Sequence, residues 1–250
     1  MDSLGQLNRA LTITKKNILI YYLKGPVIIF GVLIPVFFFL AFIVGGKHLP
    51  WSFLISGLTS MTVFFTATSV SPVIMPWEAQ MNTLERLIAS PVSIYAIIIG
   101  DMLASVGFSL LITIIPIILA LTTNITITDP LIFVLGVMLA AICFLALGSL
   151  LSTPRTNLPS NIMMLSSLIK FPLVFISGIF IPLESMGWGN YIALFSPLTY
   201  LMDIVRYSMQ GVHTYPLIID IVSLLLFTII FFIASIKLHE ATSHTEYREV

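Results

Sequence analysis

The amino-acid sequence predicts an all-α integral membrane protein with six transmembrane helices, and two observations carry that prediction. Of 250 residues, 58% are hydrophobic and only 9% charged, too little polar surface for a soluble globule of this size. The charges are also clustered. Charge-free runs remain at Gly25–Gly46, His48–Trp77, Met102–Thr128 and Pro130–Pro154, each long enough to cross a hydrocarbon core of roughly 30 Å. Farther on, Lys170, Glu184, Asp203, Arg206 and Asp220 interrupt the pattern, but Asn161–Ile181 and Pro216–Ile236 complete the six spans. The chain reads as one transmembrane domain over 1–250, with a lead-in at 1–24, the spans within 25–236 and a polar tail at 237–250.

Formal net charge is zero, which argues against nucleic acid as a partner, because that requires a concentrated basic face. An even number of spans puts both termini on one side, and Arg9, Lys15, Lys16, Lys24, Arg86, Arg155, Lys237 and Arg248 then share it. Lys47 and Arg206 lie opposite. The positive-inside rule therefore places the termini and the loops 76–93 and 152–160 in the cytoplasm, as expected for a multi-pass protein of the cell membrane. Cys143, the single cysteine, sits in an apolar run and reads as a small buried hydrophobe. The N-terminal residues lack the short apolar core of a removable signal peptide.

Taken in order, Ser3–Lys24 places Leu4, Leu7, Leu11, Ile18 and Tyr22 opposite Gln6, Asn8, Arg9, Lys15 and Lys16, the pattern of an amphipathic interfacial helix. Its basic side suits anionic headgroups, and a plain lead-in to the first span explains the same spacing. Span one opens at Gly25-Pro26 and ends at Gly45-Gly46. Span two, from Ser52 to about Met75, carries eight hydroxyls between Ser56 and Ser71, which either line a polar route or bridge helices, bridging being the commoner use.

The stretch Met75–Asp101 is the most unusual of the chain. Asn82 to Ile88 reads as a helix of about two turns closed by Ser90-Pro91. Too short to span, with charges on one side and Leu84, Leu87 and Ile88 on the other, it should lie at the membrane surface and present its charged side to another protein. Span three follows to Thr122 with Pro116 inside it, then span four, and span five carries Lys170 near its middle. Phe180–His213 is too broken and charged to span, yet too hydrophobic for a loop in water. A re-entrant helical hairpin, with helices near Trp188–Leu194 and Leu198–Met209, fits both facts. Asp203 and Arg206, three apart on one helical face, are placed to pair.

These residues resemble the ABC-2 type transporter permeases, the membrane subunits of ATP-binding cassette exporters. Asn82-Thr83-Leu84-Glu85-Arg86-Leu87-Ile88-Ala89-Ser90-Pro91-Val92-Ser93 is similar to that family's cytoplasmic coupling helix. Ser177-Gly178-Ile179-Phe180-Ile181-Pro182-Leu183, with Ser196-Pro197-Leu198-Thr199-Tyr200 and Asp203 to Arg206, resembles its outer re-entrant region. The resemblance implies an export permease that pairs with a second copy of itself or a related permease and sits on two cytoplasmic ABC ATPase subunits. It carries the ATPase-coupling contact onto Asn82, Thr83, Leu84, Glu85, Arg86 and Leu87. Asp101 departs from the pattern, standing where a basic residue is common. The sequence agrees with a division of labour: its one Gly-Lys, Gly46-Lys47, has Ala41 where a phosphate-binding loop needs its first glycine. ATP and Mg are therefore expected on the partner subunit, with no cofactor in this chain.

Lys170 is the sharpest single residue, since an ammonium near mid-membrane costs a few kcal/mol unless it pairs or meets water. It lines the translocation route, contacts an anionic headgroup, or forms a structural ion pair with Asp101 or Glu184. Glu184, Asp203 and Arg206 are candidates for an outer gate, or satisfy one another. The sequence holds no Gly-x-Ser-x-Gly elbow, no His-Glu-x-x-His and no clustered metal ligands, so catalytic and metal residues are expected to be none. A membrane-embedded enzyme or a channel acting without an ATPase is the rival reading. An apolar interior with a polar second span suits an amphiphilic or lipid-like substrate such as a drug, a lipid or a lipid-linked glycan, exported from the cytoplasm or inner leaflet.

Overall fold

A computed structural model describes residues 3–45, 49–81, 94–152 and 158–246 of the chain. Within these, every regular element is helical: α1 (Ser3–Asn17), a π-turn (Ile18–Tyr22), α2 (Gly25–Ile28), a second π-turn (Ile29–Leu33), α3 (Ile34–Val44), α4 (Trp51–Gln80), α5 (Ile94–Thr122), α6 (Pro130–Leu151), α7 (Pro159–Ile176), a 3₁₀ turn (Leu183–Ser185), α8 (Gly189–Ala193), α9 (Pro197–Gln210) and α10 (Leu217–Glu246). Three starts have one local cause. Asp129, Leu158 and Ser196 adopt non-helical backbone just before Pro130, Pro159 and Pro197. Proline disfavours helix in the residue before it and is preorganised for the first helical position.

Five helices among the described residues are long and apolar enough to cross a membrane: Trp51–Ile74, Ile99–Thr122, Pro130–Leu151, Pro159–Ile176 and Leu217–Leu238. The expected first span is instead a shorter apolar helix, Ile29–Val44, which opens with the π-turn over Ile29–Leu33. Span five ends at Ile176, short of Ile181, where Gly178 at φ +84° turns the chain. At the other extreme, α10 runs on through the expected tail to Glu246.

Helix α4 is the axis of the bundle. It is buried along its whole apolar stretch and packs against α3, α5, α6, α7 and α9, while α10 lies against α6. Phe64, Phe65 and Phe144 are fully buried with Leu198, Leu201 and Ile204 of α9 in one apolar core, the rings of Phe64 and Phe144 meeting edge to face at 4.9 Å. Gly136 of α6 lets α9 come close, since a Cβ there would lie 2.5 Å from Ile204 Cγ2. A second core gathers Tyr21, Tyr22, Val73, Trp77, Ala104 and Phe108 where the π-turn after α1 meets α4 and α5.

Most hydroxyls of α4 are spent within their own helix. Ser56, Thr59, Ser60, Thr62, Thr66 and Thr68 each donate to the carbonyl four residues back, at 2.6–2.8 Å. That satisfies them within their own helix. The link from Thr66 Oγ1 to Ser109 Oγ of α5, 3.1 Å, is a bridge between helices.

Candidate functional sites

Two polar assemblies stand at opposite ends of α4, with one buried cation between them. The first lies where α4 stops and α5 begins. Glu78, 3% exposed, accepts hydrogen bonds from Lys16 Nζ at 2.5 Å and Tyr21 Oη at 2.8 Å. Asn17 Nδ2 donates to Asp101 Oδ1, and Thr14 Oγ1 donates to the Gly100 carbonyl at 3.0 Å. Above them the Tyr21 ring stacks on Trp77 at 5.6 Å, and Lys24 Nζ stands 4.0 Å from the centre of a Trp77 ring, a cation–π contact. Burial lowers the Lys24 pKa, while burial and then the Glu78 hydrogen bond raise that of Tyr21. Gly100 permits the contact, because a Cβ there would lie 2.8 Å from Ile13. One helix thus grips both α4 and α5, the two elements that flank residues 82–93.

Asp101 faces this cluster and not Lys170. Apart from the basic character of the 1–24 segment, sequence reasoning missed the assembly. The available signal was Glu78, an isolated acid at the end of a 30-residue charge-free run. The expected coupling residues Asn82, Thr83, Leu84, Glu85, Arg86 and Leu87 lie outside the described residues.

The second assembly is at the far end, over residues 177–216. The two helices expected there form as α8 and α9, and nearly all of α9 is buried between α4, α6 and α10. Arg206 and Asp203 do not pair with each other. Arg206 donates from Nη1 and Nη2 to Glu184 Oε1, 3.2 Å each. Asp203, 1% exposed, accepts from the backbone amides of Thr214 at 2.8 and 2.9 Å and of Tyr215 at 2.7 Å. The cause is Gly211, whose φ of +67° ends α9 and folds the chain back over it. Tyr215 Oη then donates to Asn190 Oδ1 at 2.6 Å, tying that turn to α8. Glu184 lies below its usual carboxylate range: burial pushes it up, but its own backbone hydrogen bond and the Arg206 charge and hydrogen bond outweigh that.

Lys170 lies between the two assemblies on α7, 5% exposed. It forms no ion pair with Asp101 or Glu184; its ammonium donates to the Thr68 carbonyl of α4 at 2.7 Å. Beside α3 is an apolar cleft of about 230 Å³ lined by Phe38, Ala41, Phe42, Gly45 and Phe180. Phe180 stacks on Phe42 at 5.2 Å and meets Phe175 at 4.9 Å.

A bundle of five long apolar helices, one of them its buried axis, defines a multi-pass membrane protein. A family model, ABC-2 type transporter, matches residues 9–210, and the chain belongs to that family. It is a transporter permease subunit, of the kind that associates with ABC ATPase subunits and is not itself the ATPase. No curated protein matches the chain.

Proposed function

We propose that the chain is the permease of an ATP-driven exporter that moves an amphiphilic or lipid-like substrate out of the cytoplasm or inner leaflet. It works in the cell membrane as a dimer with a second copy or a related permease, termini cytoplasmic, over two ATPase subunits that hold ATP and Mg. Asn82 to Leu87 form the contact those subunits push. The observation that carries this reading is the grip of α1 on both helices flanking that segment, through Lys16–Glu78 at 2.5 Å and Thr14–Gly100 at 3.0 Å. Force applied between α4 and α5 then moves one braced unit.

The remaining parts follow from that frame. Gly25–Val44 runs nearly unbroken as α2, π-turn and α3; at about 1.5 Å per residue its 20 residues reach roughly 30 Å and act as the sixth span. The α8–α9 segment is the outer re-entrant hairpin, too short to cross, with α9 shielded by protein and Tyr191 of α8, with Trp188 and Phe195 beside it, left exposed. Glu184, Arg206 and Asp203 form its gate, and Lys170 borders the route. The aromatic cleft at Phe38, Phe42 and Phe180, with room for about 230 Å³, supports an amphiphilic cargo, because apolar walls reward apolar surface.

The test is affinity purification from membranes in mild detergent, followed by ATPase assay of whatever nucleotide-binding subunit accompanies the chain. Co-purification, with turnover altered by Glu85→Lys, is the expected result. A homodimer alone, under conditions that preserve complexes, overturns the proposal, as does substrate conversion or ion conduction without ATP.

A further inference from the structure

We infer that α8 seats an aromatic ridge, Trp188, Tyr191 and Phe195, in the headgroup–acyl boundary of the lipid leaflet at that end of the bundle. The inference extends the hairpin reading, on which it rests, by naming what the hairpin's outward face meets: the lipid surface itself.

The ridge follows from spacing. Trp188 and Leu194, on either side of α8, keep right-handed helical backbone, so residues three and four apart share a face. Tyr191 follows Trp188 by three positions and Phe195 follows Tyr191 by four. The three are 77%, 74% and 75% exposed, while Ala193 between them is wholly buried. From Ser185 to Met202 the sequence carries no charged residue. A soluble partner finds no charge to recognise there, and a bilayer meets none that it would exclude.

The segment sits below the ends of the long helices. Ser196 Oγ donates to the Leu173 carbonyl at 3.0 Å, in the last turn of α7. Ile179 packs on Gly57, its Cγ2 lying 3.3 Å from where a Cβ would stand. Gly57 is six residues into α4, roughly 9 Å along the helix from its start. Beside α8 at this level, Pro172 and Phe175 of α7 are themselves exposed, and the outward surface of a spanning helix meets lipid.

The backbone is finished as such a setting demands. The last carbonyls of a helix have no partner within it and are left to water where water is present. Here Thr199 Oγ1 donates to the Ala193 carbonyl at 2.7 Å and Tyr200 Oη to that of Leu194 at 3.0 Å. The amides of Gly189, Asn190, Tyr191, Phe195 and Ser196 each bond to the carbonyl three residues back. Protein thus supplies what lipid cannot. Tryptophan and tyrosine complete the fit, each joining an apolar body to one polar tip, the combination that gathers where headgroups meet chains.

Tryptophan fluorescence of the full chain in lipid nanodiscs tests the contact. The chain has three tryptophans, so the parent signal minus that of Trp188→Phe isolates Trp188. Phosphatidylcholine brominated high on its acyl chains should quench most of that emission, and aqueous iodide little of it. Tyr191→Trp in the Trp188→Phe background should repeat the pattern. Quenching by iodide equal to or greater than that by the bromolipid would overturn this inference and the depth of the hairpin together. Emission spared by both quenchers would mean that protein covers the ridge: the hairpin reading would stand and the lipid contact would fall. A Tyr191→Trp signal that follows iodide while Trp188 follows lipid would refute the shared ridge.

Discussion

Replacing Asp203 with alanine should unfasten the far end of the bundle while leaving the long helices in place. In the native chain its carboxylate accepts from two backbone amides, Thr214 N through both oxygens and Tyr215 N through Oδ2, all within 2.7–2.9 Å. Asp203 itself is 1% exposed. Alanine strips the acceptor from both amides, and each orphaned donor costs about 1–3 kcal/mol where water cannot replace the partner. The loss should therefore be roughly 2–6 kcal/mol, toward the lower end because Thr214 and Tyr215 are only half-buried. Asp203→Asn, which keeps one carbonyl acceptor, should lose less. Two measurements check this: denaturant-induced unfolding in detergent, and hydrogen exchange at residues 211–216 read by mass spectrometry. If Asp203→Ala unfolds within about 0.5 kcal/mol of the parent, the range of a neutral surface change, and its 211–216 amides stay protected, the assignment of Asp203 as the fastener of this turn is wrong.

Three further outcomes are expected. Gly136→Ala places a methyl 2.5 Å from Ile204 Cγ2, so it should destabilise by about 1–3 kcal/mol with partial rescue by Ile204→Ala; thermal midpoints of the single and double variants decide, and additive losses refute the contact. Glu78→Ala removes the acceptor for Lys16 and Tyr21 and should cost roughly 2 kcal/mol, while uncoupling partner ATPase turnover from transport; full coupling in a folded variant would count against the α1 brace. Because Glu184 titrates lower in the folded chain than its ordinary value of 4.5, its bond to Arg206 contributes fully above that pH and fades as pH falls through the folded pKa. The stability difference between the parent and Glu184→Gln should accordingly be flat at neutral pH and vanish under strong acid; a difference that grows on acidification reverses the assigned sign.

Much of the architecture was legible because it is written in strong local signals. The starts at Pro130, Pro159 and Pro197 fall within one or two residues of those expected for α6, α7 and α9, whereas α7 ends well before the expected Ile181. The π-turn at Ile29–Leu33 was not, because an i to i+5 ladder leaves no mark in an apolar sequence. The extension of α10 to Glu246 was missed because the hydrophobic pattern stops at Ile236, whereas residues 237–246 contain neither glycine nor proline to stop the helix. The side-chain partners fared worst, and for one reason. Lys170 and Asp203 bond to backbone groups, the Thr68 carbonyl and the Thr214 and Tyr215 amides, and every residue carries such groups. Charge counting looks for opposite charges: it set Glu184 with Arg206, which do pair, and it also proposed Lys170 with Asp101 or Glu184 and Asp203 with Arg206, which do not.

The burial of α4 also bears on how the chain enters a membrane. Its apolar stretch has mean hydropathy 1.5, against 2.9 for Leu217–Leu238, whose surface is mostly turned outward. A segment buried in the finished protein is free to carry a line of serines and threonines, yet during synthesis it must leave water before α5, α6, α7 and α9 exist. Alone it has a weak claim on the bilayer. It should be retained by partners that arrive later, α5 and α6 first, so that lesions in those helices trap the nascent chain with its axis still outside.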